Sequence, residues 1–445
     1  MNGIKTRLAI LNFIEFAVWG AYLTSLGSYL AHIGLEKNIA WFYAIQGIVS
    51  MFMPALIGII ADRWIQAQKM LSISHFLAGI FMVGAFCYAL QAGDNVAFGP
   101  LFLLYSLSVA FFMPTIGLAN SVAYSALTRA GLDTVKHFPP IRVFGTVGFI
   151  CSMLFVNFTG FQDNYFQLLT SGVLSIVMGI YALTMPACPV GKSADTTSIA
   201  DALGLKAFSL FKDRQMALFF IFSMMLGVSL QITNGFANPF IQSFGAVPEY
   251  AGTWGVNNAN ALISISQMSE TLCILLIPFF LKRFGIKIVM LMSMFAWVFR
   301  FGLFGIGNPG DGVWLFVLSM IVYGIAFDFF NVSGSLYVDR RTDVSMRSSA
   351  QGLFMVMTNG IGATVGTLGA QAVINHYVYS LPENSVARID GWSTSWFVFS
   401  GFALVVAILF MLLFKNPRDE KQPTAAEIIN NAADADDAAG MIDVK

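Results

Sequence analysis

Charge is what this chain has least of. Lys, Arg, Asp and Glu make up 11% of its 445 residues, against about a quarter in an ordinary soluble domain, so a water-facing globular protein is excluded. The formal net charge is zero, which leaves no basic footprint for nucleic acid. Cysteine is scarce. Of Cys87, Cys151, Cys188 and Cys273, three lie in apolar runs and none forms a CxxC pair, so neither a disulfide framework nor a zinc site is expected. The four histidines, His32, His75, His137 and His376, lie near the ends of apolar runs and form no motif. No metal cluster, nucleophile–base pair or cofactor-binding motif points to an enzyme. The alternation that builds a membrane β-barrel is missing as well, leaving an all-α membrane protein.

What fills the chain instead is apolar: 57% hydrophobic residues, including 43 phenylalanines. A bilayer-crossing helix needs about 20 such residues. Twelve runs meet this: 8–32, 40–60, 70–91, 98–127, 141–160, 165–187, 215–242, 256–281, 286–307, 312–338, 347–377 and 392–415. The first run carries Glu15 and continues past signal-peptide length with no small-residue cleavage site, so it reads as a retained span. Of the 24 Lys and Arg residues, Lys37 and Arg388 lie in the loops on one side, and Arg142 and Arg300 within spans. The rest lie at the termini or in the connections 2–3, 4–5, 6–7, 8–9 and 10–11. The positive-inside rule then makes that charged side cytoplasmic, with both termini there. The longest internal polar stretch follows span six, so the expected organisation is a six-helix half at 1–188, a cytoplasmic connection at 189–214, a second six-helix half at 215–418 and a disordered cytoplasmic tail at 419–445.

Five ionisable groups lie inside these apolar runs: Glu15, Arg142, Glu270, Arg300 and Asp328. A charge at membrane depth costs roughly 2.5–3.5 kcal/mol on insertion scales. Helices that keep one face it to a partner or to a water-filled path, so the five together predict a polar pathway. Arg142 follows Pro139-Pro140, which suit a helix start, and shares a helix face with Thr146 and Phe149. Alternatively it snorkels to the surface. Gln231 and Asn234 are three apart, as are Gln267 and Glu270. Such amides suit uncharged polar ligands, or bonds between helices. Tyr323 and Phe327 are four apart and offer a stacking face, or a place in the core. Asp328 stands about 100° round the helix from Phe327, so it flanks that face rather than sharing it. Arg300 is expected to balance a carboxylate.

Between spans two and three, Gly58-Ile59-Ile60-Ala61-Asp62-Arg63 resembles the signature turn of the major facilitator superfamily, with glycine for close helix approach and Asp62 and Arg63 for a cytoplasmic gate. A similarly charged turn, Lys282-Arg283-Phe284-Gly285, follows span eight. Four segments narrow the match: 138–149, 230–234, 263–272 and 323–335. With Phe52-Met53-Pro54-Ala55-Leu56 and Ser349-Ala350-Gln351-Gly352, they resemble the nucleoside:proton symporter family within that superfamily, over nearly all of 8–415. The resemblance implies twelve helices in two halves and a site near the midplane, exposed alternately to either side. It implies proton-driven import of purine and pyrimidine nucleosides such as uridine, adenosine and inosine, by a monomer in the lipid bilayer of the bacterial inner membrane. It puts Arg142, Thr146, Phe149, Gln231, Asn234, Gln267, Glu270, Tyr323 and Phe327 at the substrate, and leaves proton coupling to Asp328, Glu270 or Glu15. Glu15 departs from the family pattern, which has an uncharged amide there; a proton site, an arginine partner and a substrate contact all remain open for it. A sugar or another neutral polar solute on the same fold is the alternative cargo. Two glycine motifs are set aside. Gly191-Lys192-Ser193 resembles the end of a P-loop, but Pro186 occupies the first glycine position and no strand precedes it. Gly360-Ile361-Gly362-Ala363-Thr364-Val365-Gly366 reads as small-residue helix packing.

Overall fold

The computed structural model describes residues 2–93, 95–188, 205–342, 346–383 and 385–415. Among these residues the chain is helical, and nine helices are long and apolar enough to cross a membrane by length and composition alone. Span two is Ile39–Arg63, span three Ala67–Ala92, span four Phe98–Arg129, span five Thr134–Phe158 and span six Phe166–Leu183. Span seven is Arg214–Ser243, span ten Val313–Arg341 and span twelve Ala387–Leu413. Span eleven is built from Arg347–Met355, a π-helical turn at Val356–Gly362 and Ala363–Tyr377. The three spans outside the nine are one, eight and nine. Span one is Asn2–Gly20 followed, after a run of turns, by Leu26–His32. Spans eight and nine are two helices within Ala259–Ile306, separated by a break at Gly285, where φ is 76° and ψ 170°. That left-handed backbone explains a glycine at the turn.

Two boundaries differ from the sequence reading. Span five starts at Thr134, so Pro139 and Pro140 lie inside it rather than at its start. Span one is interrupted at 21–25, just after Gly20 crosses span five: a Cβ on Gly20 would lie 2.4 Å from the Phe149 carbonyl oxygen. The Tyr43 hydroxyl donates to the Leu23 carbonyl at 2.6 Å, so irregular backbone inside the membrane still has a partner. In the expected connection 189–214, a 3-10 turn at Leu205–Lys212 leads to Asp213, whose carboxylate caps span seven through the Gln215 and Met216 amides. The remainder of that connection, including Gly191-Lys192-Ser193, lies outside the described residues, as does the expected tail at 419–445.

The helices form two groups, spans one to six and seven to twelve, which meet most closely at the charge-poor end. There Thr24 donates to Asn260 Oδ1 at 2.5 Å, Ser28 to Asn238 Oδ1 at 2.9 Å, and Asn157 Nδ2 to Asn258 Oδ1 at 2.8 Å. Gln371 accepts from the Ala40 amide at 2.8 Å and donates to the Glu36 carbonyl at 3.0 Å. Gln242 donates to Asp163 at 2.5 Å. Gly27 and Gly235 let spans one and seven touch, since a Cβ on Gly27 would lie 2.1 Å from the Gly235 carbonyl oxygen. Polar side chains bonded between helices and small residues at the crossings hold helices together where lipid provides no hydrophobic drive. The glycines at 360–366 do the same work: Cβ atoms at Gly362 and Gly366 would collide with span seven at Met224 and Val228.

Candidate substrate cavity

Between the two groups lies a cavity of about 830 Å³. Its wall runs from mid-depth toward the charged end through Ser50, Met51, Pro54, Ala55, Asn120, Ser349 and Gly352. All nine residues expected at the substrate line this one cavity: Arg142, Thr146 and Phe149 from span five, Gln231 and Asn234 from span seven, Gln267 and Glu270 from span eight, Tyr323 and Phe327 from span ten. Helical spacing explains why each set shares a face; the meeting of four helices brings the faces together.

The geometry gives the wall two characters. Asn234 Nδ2 donates to Gln231 Oε1 at 2.7 Å, which fixes the pair and leaves the Gln231 amide nitrogen and the Asn234 oxygen for other partners. The Tyr323 and Phe327 rings lie parallel, 1° apart in tilt with centroids at 5.9 Å. On the other side, Trp19 meets Phe149 edge-on at 6.2 Å and donates its indole N–H to Gln46 at 3.2 Å, while Gln46 donates to the Tyr105 hydroxyl at 2.8 Å. Arg142 places its guanidinium 3.8 Å over the Phe16 ring and feels the charges of Glu270 and Glu15. The sequence reading missed Trp19, Gln46, Asn120 and Asn359, which also line the cavity. A lone polar or aromatic residue in an apolar run carries no spacing signal.

The remaining expected residues lie elsewhere. Asp328 does not line the cavity; it is 5% exposed, with Oδ2 unpartnered among the described residues, and Glu270 acts on it electrostatically. Glu15 is 0% exposed and off the cavity wall. Its partners are His75 Nε2 at 2.8 Å and the Thr115 hydroxyl at 2.6 Å. The histidine is thus no isolated span-end residue. Arg300, expected to balance a carboxylate, instead donates to the Ser319 carbonyl at 2.9 Å and sits 4.4 Å over the Tyr323 ring, so ring faces and carbonyls take its charge. Gly58 faces open space rather than a neighbouring helix; the side chains of Asp62 and Arg63 lie outside the described residues.

Helices in two groups around a cavity with stacked aromatics, amides and an arginine define a membrane transporter of the major facilitator fold. A structure of a D-xylose-proton symporter shares this fold, with TM-score 0.67 at 14% identity over 93% of this chain and 97% of that one. The chain belongs to the nucleoside H+ symporter family, whose model matches residues 1–419; it is a transporter rather than an enzyme. It is 45% identical to the xanthosine permease of Escherichia coli over 422 residues, covering 94% of this chain and 98% of the relative. It is 42% identical to the Escherichia coli nucleoside permease NupG over 432 residues, 96% and 100% of the two chains. A crystal structure of the nucleoside transporter NupG matches with TM-score 0.83 at 43% identity, over 94% of this chain and all of that one.

Proposed function

We propose that this protein imports purine and pyrimidine nucleosides, uridine, adenosine and inosine among them, each together with protons across a bacterial inner membrane. The observation that carries the reading is one cavity of about 830 Å³ lined by six amides, an arginine, a carboxylate and a parallel aromatic pair. A nucleoside presents a flat base and a polyhydroxylated sugar. The base suits the Tyr323–Phe327 face, since base–aromatic stacking is worth roughly 1–3 kcal/mol. Gln231, Asn234, Gln267 and Glu270 supply donors and acceptors for base edges and ribose hydroxyls. Thr146, Phe149 and Arg142 complete the opposite wall.

In this reading the charged end is cytoplasmic, both termini lie there, and the cavity faces inward while the charge-poor end is shut. Asp62 and Arg63, with Gly58, belong to the gate that would close the cytoplasmic end. Asp328, Glu270 and Glu15 are the carboxylates available for proton coupling. The protein works as a monomer within the bilayer and has no business with nucleic acid. The test is uptake of uridine and inosine into proteoliposomes with and without an imposed pH gradient. Uptake should rise with an inward proton gradient, collapse with a protonophore, and be competed by adenosine but not by a sugar. Uptake that follows sodium and ignores protons, or that a sugar outcompetes, overturns the reading.

A further inference from the structure

The N-terminal half contains a buried acid–base cluster that the substrate cavity does not use. Glu15 on span one, His75 on span three, Thr115 on span four and Ser175 on span six are drawn from four helices, and each is at most 1% exposed. Ser175 has one hydroxyl hydrogen and gives it to the His75 carbonyl at 2.9 Å. Its oxygen, 3.0 Å from His75 Nδ1, must therefore accept from that nitrogen. Nδ1 then carries a hydrogen, and Nε2, 2.8 Å from Glu15 Oε2, shares the remaining proton with the carboxylate. Carboxylic acid beside imidazole and carboxylate beside imidazolium both leave the pair with zero net charge. Removing the shared proton leaves it at minus one.

The surroundings suit that change. The Thr115 hydroxyl has two acceptors at 2.6 Å, the Phe112 carbonyl and Glu15 Oε1, so it is able to turn to a carboxylate when one forms. The His75 ring meets Phe112 of span four at 6.0 Å. Arg142 of span five lines the cavity and is influenced electrostatically by Glu270 of span eight and, less strongly, by Glu15. Arg142 rests on Phe16, the neighbour of Glu15. One guanidinium thus interacts electrostatically with Glu15, with Glu270 and with the cavity that receives substrate.

We propose that Glu15 and His75 form a proton-binding site in the N-terminal half, separate from Asp328 and linked to the substrate cavity through Arg142. The inference rests on the symport reading and extends it to a second site. The experiment is nucleoside affinity against pH, by calorimetry on the purified full-length protein, for the parent, Glu15→Gln, His75→Gln, the double variant and Asp328→Asn. One titration step in the parent profile should persist in Asp328→Asn. It should be displaced in Glu15→Gln and in His75→Gln, each of which leaves one titratable group, and be absent from the double variant. Thermal melts confirm folding. Should Glu15→Gln fail to fold, His75→Gln reports on the same step, and its pH-difference infrared spectrum should show the Glu15 carboxyl signal displaced in pH from that of the parent; a signal at the parent's pH overturns the pairing. A parent profile with no such step, or a step that both single variants leave unmoved or that disappears with Asp328→Asn alone, overturns the proposal. Proton-driven uptake measured on the same preparation separates the two failures. Uptake indifferent to protons sinks the symport reading, whereas proton-driven uptake with an unchanged profile in the variants sinks only the Glu15–His75 site.

Discussion

The two halves bury a carboxylate each in opposite ways. In the N-terminal half Glu15 is enclosed by His75 and Thr115, with Ser175 behind the histidine. In the C-terminal half Asp328 is nearly as deep, yet Oδ2 has no partner among the described residues, and its electrostatic neighbour is another carboxylate, Glu270. A third carboxylate, Asp163, sits between these extremes in the loop after span five, half-buried and held by Gln242. A buried charge with its partners in place is stable while the network is whole and costly to disturb. A buried carboxyl without partners is held at a cost and gains most from a change of protonation. The halves therefore differ in what a mutation does to stability: loss of the orphan should spare it, and loss of a partner should lower it.

The largest effect should come from Asp328→Asn. The amide keeps size and hydrogen bonding but removes titration and the cost of a buried charge. Accumulation of nucleoside against a gradient should be abolished in proteoliposomes, while calorimetric binding survives and the melting temperature is unchanged or raised. Concentrative, proton-driven uptake by this variant would show that Glu270 or Glu15 carries the proton instead. The converse change is His75→Ala, which gives Glu15 the condition of Asp328. Breaking a buried pair by removing one partner costs about 3–5 kcal/mol, read as a fall in thermal or denaturant stability in detergent. A variant as stable as the parent would mean that water or Thr115 satisfies Glu15 without the histidine.

On the cavity wall the effect should be smaller and confined to affinity. Gln267→Ala strands a substrate polar group in a dry site at about 1–3 kcal/mol, or a 5–150-fold weaker dissociation constant by calorimetry. Unchanged affinity in a folded Gln267→Ala protein would reassign Gln267 to helix packing.

These contrasts were unequally visible in the amino-acid order. The cost of a charge at membrane depth marked Glu15, Arg142, Glu270, Arg300 and Asp328 as positions needing an explanation, and three- and four-residue spacing grouped the cavity residues by helix face. Both signals are local, and helical geometry preserves them. The partner of Glu15 is not local: His75 is 60 residues away on another helix, and nothing in either run announces the other. Arg300 was misjudged for the same reason, because a ring face on another helix can hold a guanidinium as a carboxylate does, and Tyr323 lies on span ten. The interruption of span one was hidden because the apolar run continues through it; the cause is Gly20 pressing on span five, a contact between helices. Pro139-Pro140 pointed to a helix start, but the helix begins at Thr134 and accommodates both.

The smallest expected effect belongs to Asp163, the carboxylate with intermediate support. Burial pushes its carboxyl above the ordinary carboxylate value, against the opposing influences of the Gln242 hydrogen bond and the charge of His32. The sign follows from linkage: the closed charge-poor end binds this proton more tightly than an opened chain in which water returns to Asp163. The resulting stabilisation is fully present below the ordinary value of about 3.9 and is lost as pH rises through the raised one. Asp163→Asn can still accept from Gln242 but does not titrate. Spin-label distances across the charge-poor end should therefore widen with rising pH in the parent over that acidic window and stay flat in Asp163→Asn. Equal widening in both proteins would show that the closure answers to another group, and that single-partner support is enough to make a carboxylate at this end electrostatically silent.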